Sequence, residues 1–236
     1  MRSRVLGVAA GAAVAAAWTA PAPAPVVPAF ARAFGIPLRL PRADGIAITF
    51  DDGPHPQGTP AVIETLARFG AAATFFLVGE QVERFPSLAA EIAAAGHEVA
   101  LHGHRHVLTL RRTPAGLARD LDLAAWTIAN AAGRAPTLYR PPYGVFSAAA
   151  LALVRRRGWS PLLWSRWGRD WGANETPAAI AARATAGLRA GDVVLLHDAD
   201  HYSSPGSWRR TAAALPSILE TVAALEVPLV PVTQST

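Results

Sequence analysis

Residues 46–54 read IAITFDDGP, and the fold of the chain turns on this stretch. Ile46, Ile48, Thr49 and Phe50 make an apolar, largely β-branched run of strand character. The run ends in two adjacent carboxylates, Asp51 and Asp52, which repel one another and add nothing to a core. In a continuing strand they would point to opposite faces. Gly53-Pro54 breaks the strand at once, which frees both to turn toward one place. An Asx turn that merely closes a strand gives the same letters, so the pair takes its meaning from the rest of the chain.

Outward from that strand, short apolar runs alternate with alanine-rich helical stretches. Strands are expected at 46–50, 73–78, 98–101, around Tyr139, and at 160–164, 192–196 and 227–230. Helices are expected at 60–69, 87–95, 114–131, 147–157, 177–188 and 211–224. Alternation at this spacing implies parallel strands joined by right-handed crossovers. Seven such strands imply an α/β barrel, complete or distorted. With 236 residues, no internal repeat and no second composition regime, one domain suffices.

The chemically active residues fall at the C-terminal ends of those strands, which share one face in a barrel. Asp51 and Asp52 follow the first strand, His102 and His106 the third, Arg140 the fourth; Asp170 trails the fifth and His197 ends the sixth. In LHGHRHV the two outer histidines are four apart. On a strand they would be about 13 Å apart and unable to share an ion; on a helical turn they would be about 6 Å apart on one side. A helical turn is therefore expected, although a polar, histidine-rich loop fits the letters too; His104 would face elsewhere. Two imidazoles need a third ligand to make a metal site with open positions. Asp52 can supply it, leaving Asp51 as a free carboxylate and base. Arg140, ahead of the stiff PPYG loop, can pair with Asp51 and fix its orientation. That loop can present a backbone N–H to an oxyanion, or be an ordinary surface turn. His197, closing GDVVLLHD, is either a core histidine or, facing a metal, a general acid. Asp170 in WGRDW can hold its tautomer and raise its pKa. Trp167 and Trp171 offer flat apolar surfaces that stack on sugar rings or pack in a core.

Composition removes other chemistries. The chain has no cysteine, which excludes disulfides, a thiolate nucleophile and cysteine-ligated metal. The formal charge of +5 comes from 22 basic residues, all arginine. They are scattered, except for Arg155–Arg157 near a helix end where cations favour the dipole, so no nucleic-acid partner is expected. At the N-terminus two arginines precede an apolar run at 5–18, shorter than the ~20 residues of a bilayer span and suited to a signal-peptide core. Ala29-Phe30-Ala31 has the small-x-small pattern of a cleavage site before Arg32. An uncleaved anchor with a Pro/Ala spacer is the alternative. Either way export is expected, to a secreted, cell-wall-associated or outer-face-anchored location. The division expected is 1–31 signal peptide or anchor, 32–44 linker and 45–236 catalytic domain, with the membrane involved only through the N-terminus.

In order and spacing, TFDDGP, HGHRH, RPPYG, DW and LLHD resemble the polysaccharide deacetylases of carbohydrate esterase family 4, the NodB-homology domain, from residue 46 to about 230. The resemblance implies a distorted (β/α) barrel of about seven parallel strands. It also implies a divalent metal, commonly zinc, with cobalt, nickel or manganese as alternatives, and a monomer. The implied reaction removes N-acetyl groups from N-acetylglucosamine-type polymers such as peptidoglycan or chitin oligomers and releases acetate. Position by position, Asp51 looks like the base, Asp52, His102 and His106 like the metal ligands, and Arg140 like the residue orienting the base. His197 looks like the acid with Asp170 tuning it; Tyr143 matches the oxyanion N–H and Leu195 the acetyl pocket. Two positions depart from the family: Gly103 replaces the usual Ser or Thr, and Val107 a frequent proline. HDADHYSSPGSW, after the apolar run at 192–196, is expected to be a variable substrate loop.

Three other readings fit parts of the pattern. A small acetylated amine could replace the polymer. A non-haem iron oxygenase shares two histidines and a carboxylate, but has no use for the second aspartate or the acid histidine. A carbohydrate-binding relic would have no need to keep every reactive group.

Overall fold

The computed structural model describes residue 13 and residues 15–235, so most of the apolar run at 5–18 lies outside the described residues. Among those described, no helix is long and apolar enough to cross a membrane.

The strands are β1 (Ala47–Asp51), β2 (Thr74–Leu77), β3 (Glu98–Leu101), β4 (Leu138–Tyr139), β5 (Ser160–Pro161), β6 (Arg166–Trp167) and β7 (Val193–His197). All pair in parallel, in the order β5-β4-β3-β2-β1-β7-β6. The two edges, β5 and β6, are consecutive in the chain and joined by residues 162–165. Five residue steps reach at most about 18 Å, whereas a flat seven-stranded sheet is about 29 Å across. The sheet therefore curls into a half-barrel.

The expectation of seven parallel strands holds, but one member differs. Residues 227–230 make only a single bridge, Ile46 to Leu229; Pro228 and Pro231 remove the donors that would extend it. The seventh strand is β6, whose two residues are too short to show a period. The run expected at 160–164 stops at Pro161: the next donor on the β4 side would be Pro141, which has no N–H, and the freed carbonyls turn to Arg140, its Nε reaching Leu162 O (3.4 Å) and its Nη2 Leu163 O (2.9 Å).

Eight helices among the described residues are α1 (Pro28–Ala33), α2 (Gly58–Arg68), α3 (Gly79–Arg84), α4 (Pro86–Ala94), α5 (Pro114–Ala132), α6 (Ala148–Arg156), α7 (Pro177–Thr185) and α8 (Ser207–Ala224). Their starts are written locally. Thr113, Ser147 and Thr176 each accept a bond from the N–H three residues on, capping α5, α6 and α7. Of the arginine triplet at the end of α6, Arg157 makes a bidentate bond to Asp122 (2.8 and 2.6 Å) on α5 and Arg155 donates to Gly35 O (3.1 Å).

Residues 32–44, expected as a linker, lie against the barrel. Leu163 N donates to Pro37 O (2.9 Å) between the two sheet edges, Leu40 N donates to Gly191 O (2.9 Å), and Arg39 pairs with Asp192 (2.8 Å). Further upstream, Ala24 and Ala31 are fully buried members of the hydrophobic core.

Candidate active site

Strand register brings the site together. Asp51 on β1 lies beside His197 on β7, and Leu101 on β3 lies beside Tyr139 on β4, so His102 and Arg140 leave their strands at one level. Thr49 and Asp51, two apart on β1, share the face turned into the barrel. Arg140, wholly buried, reaches across that interior. Its Nη1 donates to Asp51 Oδ1 (2.6 Å) and to Thr49 Oγ1 (2.9 Å), and its guanidinium lies 4.0 Å over the Phe76 ring. Burial lowers the guanidinium pKa, and the Asp51 carboxylate opposes that. With four polar contacts satisfied, the charge is held rather than stranded.

Asp52 is turned into the same site by its own backbone. Its φ of 77° is left-handed, a conformation that costs a non-glycine residue about 1–3 kcal/mol. Asp52 Oδ1 sits 3.4 Å from His102 Nε2 and 3.3 Å from His106 Nε2, with no hydrogen bond of its own and no solvent contact. One ligand atom from each of the three lies within 4.8 Å of the others. Burial would raise the Asp52 pKa, but the close approach of His102 and the fields of His197, His106 and His102 outweigh it and hold the carboxyl well below the usual range. Burial pushes His106 down to about 4, leaving a neutral imidazole with a lone pair to give. An orphaned buried carboxylate oxygen facing two imidazole nitrogens is a donor set that fits a divalent cation of the zinc type.

The helical turn expected around the two histidines is absent. Residues 102–108 form an irregular loop, and the left-handed Gly103 (φ 90°) makes the turn that brings the rings to 5.4 Å. A side chain at 103 would be strained there, which gives Gly103 a local reason. Asp120 also braces the loop, accepting from His104 N (3.0 Å) and from Arg112 (2.7 Å). His102 is oriented by its Nδ1, 2.8 Å from Arg140 O, which leaves Nε2 for the site. The His104 ring turns away, toward Glu83 (3.8 Å).

Opposite the three, His197 Nδ1 lies 2.9 Å from Asp170 Oδ1, while His197 N donates to Asp170 Oδ2 (2.8 Å), as does Thr211 Oγ1 (2.7 Å). Burial would lower the His197 pKa; the buried Asp170 charge and its hydrogen bond reverse that and, with Asp52 and Asp51, push it up to about 10. Nε2 is the free nitrogen and faces a cavity of about 340 Å³. Asp51, Asp52, His102, His106, Trp167, Trp171 and Leu195 line that cavity. Trp171 stands edge-on to the His197 ring at 5.7 Å. Tyr143, left-handed at φ 62° and largely exposed, closes one side.

The structure thus brings together Asp51, Asp52, His102, His106, Arg140, Tyr143, Trp167, Asp170, Trp171, Leu195 and His197, all candidates in the sequence. It adds three to which the sequence assigned no role: Thr49 and Thr211, which hold Arg140 and Asp170, and Tyr202, whose ring stacks on His106 (4.2 Å, 11°). Thr49 stands in TFDDGP and Tyr202 in HDADHYSSPGSW, but which group each would hold, like the part played by Thr211 inside a helix, is set only once the chain is folded.

Carboxylates and imidazoles gathered at the strand ends of a curled parallel half-barrel suit hydrolytic chemistry, and comparison with known proteins gives the class as a carbohydrate deacetylase. The family model for polysaccharide deacetylase matches residues 40–161. A peptidoglycan-N-acetylglucosamine deacetylase of Bacillus cereus is 36% identical over 177 residues, covering 74% of this chain and 79% of that one. A chitooligosaccharide deacetylase of a Bradyrhizobium species is 37% identical over 154 residues, covering 65% of this chain and 70% of that one. Among solved structures, a family 4 carbohydrate esterase from Streptomyces lividans in complex with acetate superposes with a TM-score of 0.70 at 30% identity, covering 79% of this chain and 91% of that one. This chain belongs to the polysaccharide deacetylase family, whose members hydrolyse the amide bond of N-acetyl groups.

Proposed function

We propose that this protein is an exported, metal-dependent deacetylase of N-acetylglucosamine-type polymer, with Asp52, His102 and His106 holding the ion. The observation that carries the proposal is the orphaned Asp52 Oδ1, 3.3–3.4 Å from two imidazole nitrogens in a cavity that Asp51 and His197 also face. When bound, a divalent ion, zinc first and cobalt, nickel or manganese next, supplies a Lewis acid for the acetyl carbonyl and a more acidic water. The protein's own groups do the rest. Asp51, held by Arg140, takes the proton of the attacking water. The Tyr143 N–H stabilises charge on the carbonyl oxygen. His197 gives its Nε2 proton to the departing amine while Asp170 holds Nδ1, and acetate leaves. Leu195 and Trp171 supply the apolar wall for the acetyl methyl and the sugar ring.

Peptidoglycan and chitin oligomers are the substrates to test first, because relatives at 36% and 37% identity are named for them; a small acetylated amine is the second class. Acetate release from defined acetylated oligomers, measured with and without a chelator and after zinc is restored, tests the proposal. Release that survives complete metal removal overturns metal dependence, and no release from any amino-sugar oligomer overturns the substrate class. We also propose that the protein works as a monomer.

Export rests on the N-terminal sequence. The position of any cut is a separate matter, because Ala24 and Ala31 are buried in the core and Trp18 Nε1 donates to Leu110 O (3.3 Å). Cleavage after Ala31 would strip packed chain from the barrel. N-terminal sequencing of exported protein distinguishes a start near Arg32 from a retained segment.

A further inference from the structure

The two imidazoles beside Asp52 are held in different ways. Metal-binding histidines usually donate their second ring nitrogen to a carbonyl or carboxylate, which fixes the ring. His102 follows this pattern through Arg140 O. His106 does not: its Nδ1 is buried and meets no hydrogen-bond partner in the protein. Its ring is instead held by two aromatic side chains. Tyr202 lies nearly parallel to it at 4.2 Å, and Tyr143 meets it at 4.5 Å with an interplanar angle of 61°.

Tyr202 is itself pinned. Its hydroxyl donates to Glu80 Oε1 (2.6 Å) and accepts from Gln81 Nε2 (2.9 Å), both on α3. The loop around it is tied down as well. Asp198 accepts from Thr59, Asp200 accepts from Gly206 N (2.6 Å), and His201 Nε2 lies 3.2 Å from Pro54 O. The segment after β7 is thus a braced wall of the cavity, with Tyr202 and Ser203 in its lining.

We propose that Tyr202 is a positioning residue for His106. Its flat ring does for this imidazole what the Arg140 carbonyl does for His102, and the braced loop after β7 keeps that ring in place. The proposal rests on the metal reading above, and it goes further by placing a determinant of metal affinity in a loop outside the family motifs.

The test is zinc affinity, read by competition with a chromophoric chelator on the full-length protein and its Tyr202→Ala, Tyr202→Leu and Tyr202→Phe variants. Circular dichroism establishes that each is folded, and the gain in Tm on adding zinc gives a second readout. Tyr202→Ala and Tyr202→Leu are expected to bind zinc about 10–100-fold more weakly, the usual cost of losing a group that orients a ligand. Leucine fills the volume without a flat face, so it separates stacking from loop collapse. Tyr202→Phe keeps the ring and is expected to stay within about 3-fold of the parent. Parent-like affinity in folded Tyr202→Leu overturns the proposal, as does a Phe variant as weak as the Ala variant. A parent protein that binds no zinc at one equivalent overturns the metal reading and this proposal with it; a parent that binds while all variants bind equally overturns this proposal alone.

Discussion

The two sides of the cavity use the same side chain to opposite ends. On one side His106 is buried among rings and a second histidine, and its pKa falls to about 4. On the other His197 is buried beside Asp170, and its pKa rises to about 10. Burial opposes the charged imidazole in both places. The outcome is decided by whether a buried carboxylate lies in hydrogen-bond contact with the second nitrogen. The neutral ring suits a ligand and the charged ring suits an acid, so the division of labour is set by neighbours several strands apart.

That comparison can be broken most forcefully from the ligand side. Asp52→Ala removes the anionic member of the cluster and leaves two imidazoles, which hold a divalent ion weakly. Loss of bound metal and of acetate release to background is expected, measured by mass spectrometry of the protein and by acetate assay. Retention of one equivalent of metal would reassign the ligands.

Asp51→Asn probes the carboxylate between the two sides. Metal is expected to remain while turnover falls by about 10²–10⁴-fold, the usual contribution of a general base. Asparagine can still accept from Arg140 but leaves the buried guanidinium without a counter-charge, so Tm should fall too. Metal content measured beside the rate separates a lost base from a lost site, and loss of the ion would reverse the roles given to the two aspartates.

Asp170→Asn sharpens the acid side with the smallest expected effect on rate at low pH. In the parent the raised pKa keeps His197 protonated through neutrality. A bound cation would offset the Asp51 and Asp52 fields but leave the Asp170 contact. Removing that charge lets burial dominate, so the pKa drops and the alkaline limb of the pH–rate profile moves to lower pH. The stability sign follows the same linkage. The folded pKa lies above the unfolded value of 6.5, so the pair's contribution is fully present below 6.5 and is lost as pH rises through about 10. The variant should therefore show a flatter Tm between those limits. An unmoved limb together with an active His197→Ala would show that this histidine only packs.

Much of this was legible in the letters because it depends on local order along the chain. Strand–helix alternation reports which residues are apolar and which break structure, and it gave the parallel α/β sheet together with six of its seven strands. The site residues were readable because parallel strands all end at one face, so residues just past successive strands must meet. What could not be read depends on partners far apart in sequence. Strand β6 exists because β7 pairs with it, and β5 ends early because Pro141 stands opposite its next carbonyl, which Arg140 then takes. The histidine loop was expected to be helical from spacing alone; a left-handed glycine achieves the same approach without a helix, and spacing cannot tell the two apart. Tyr202 gave no signal either, because its partners His106, Glu80 and Gln81 lie about a hundred residues or more away.

The sequence by itself determined the kinds of group present and the face on which they gather, since strand direction and residue identity are properties of the chain. Only the tertiary structure decided which imidazole is neutral, which carboxylate is paired and what holds each ring. Those are set by burial and by charges a few ångströms apart in space, and distance in space is what a sequence does not record.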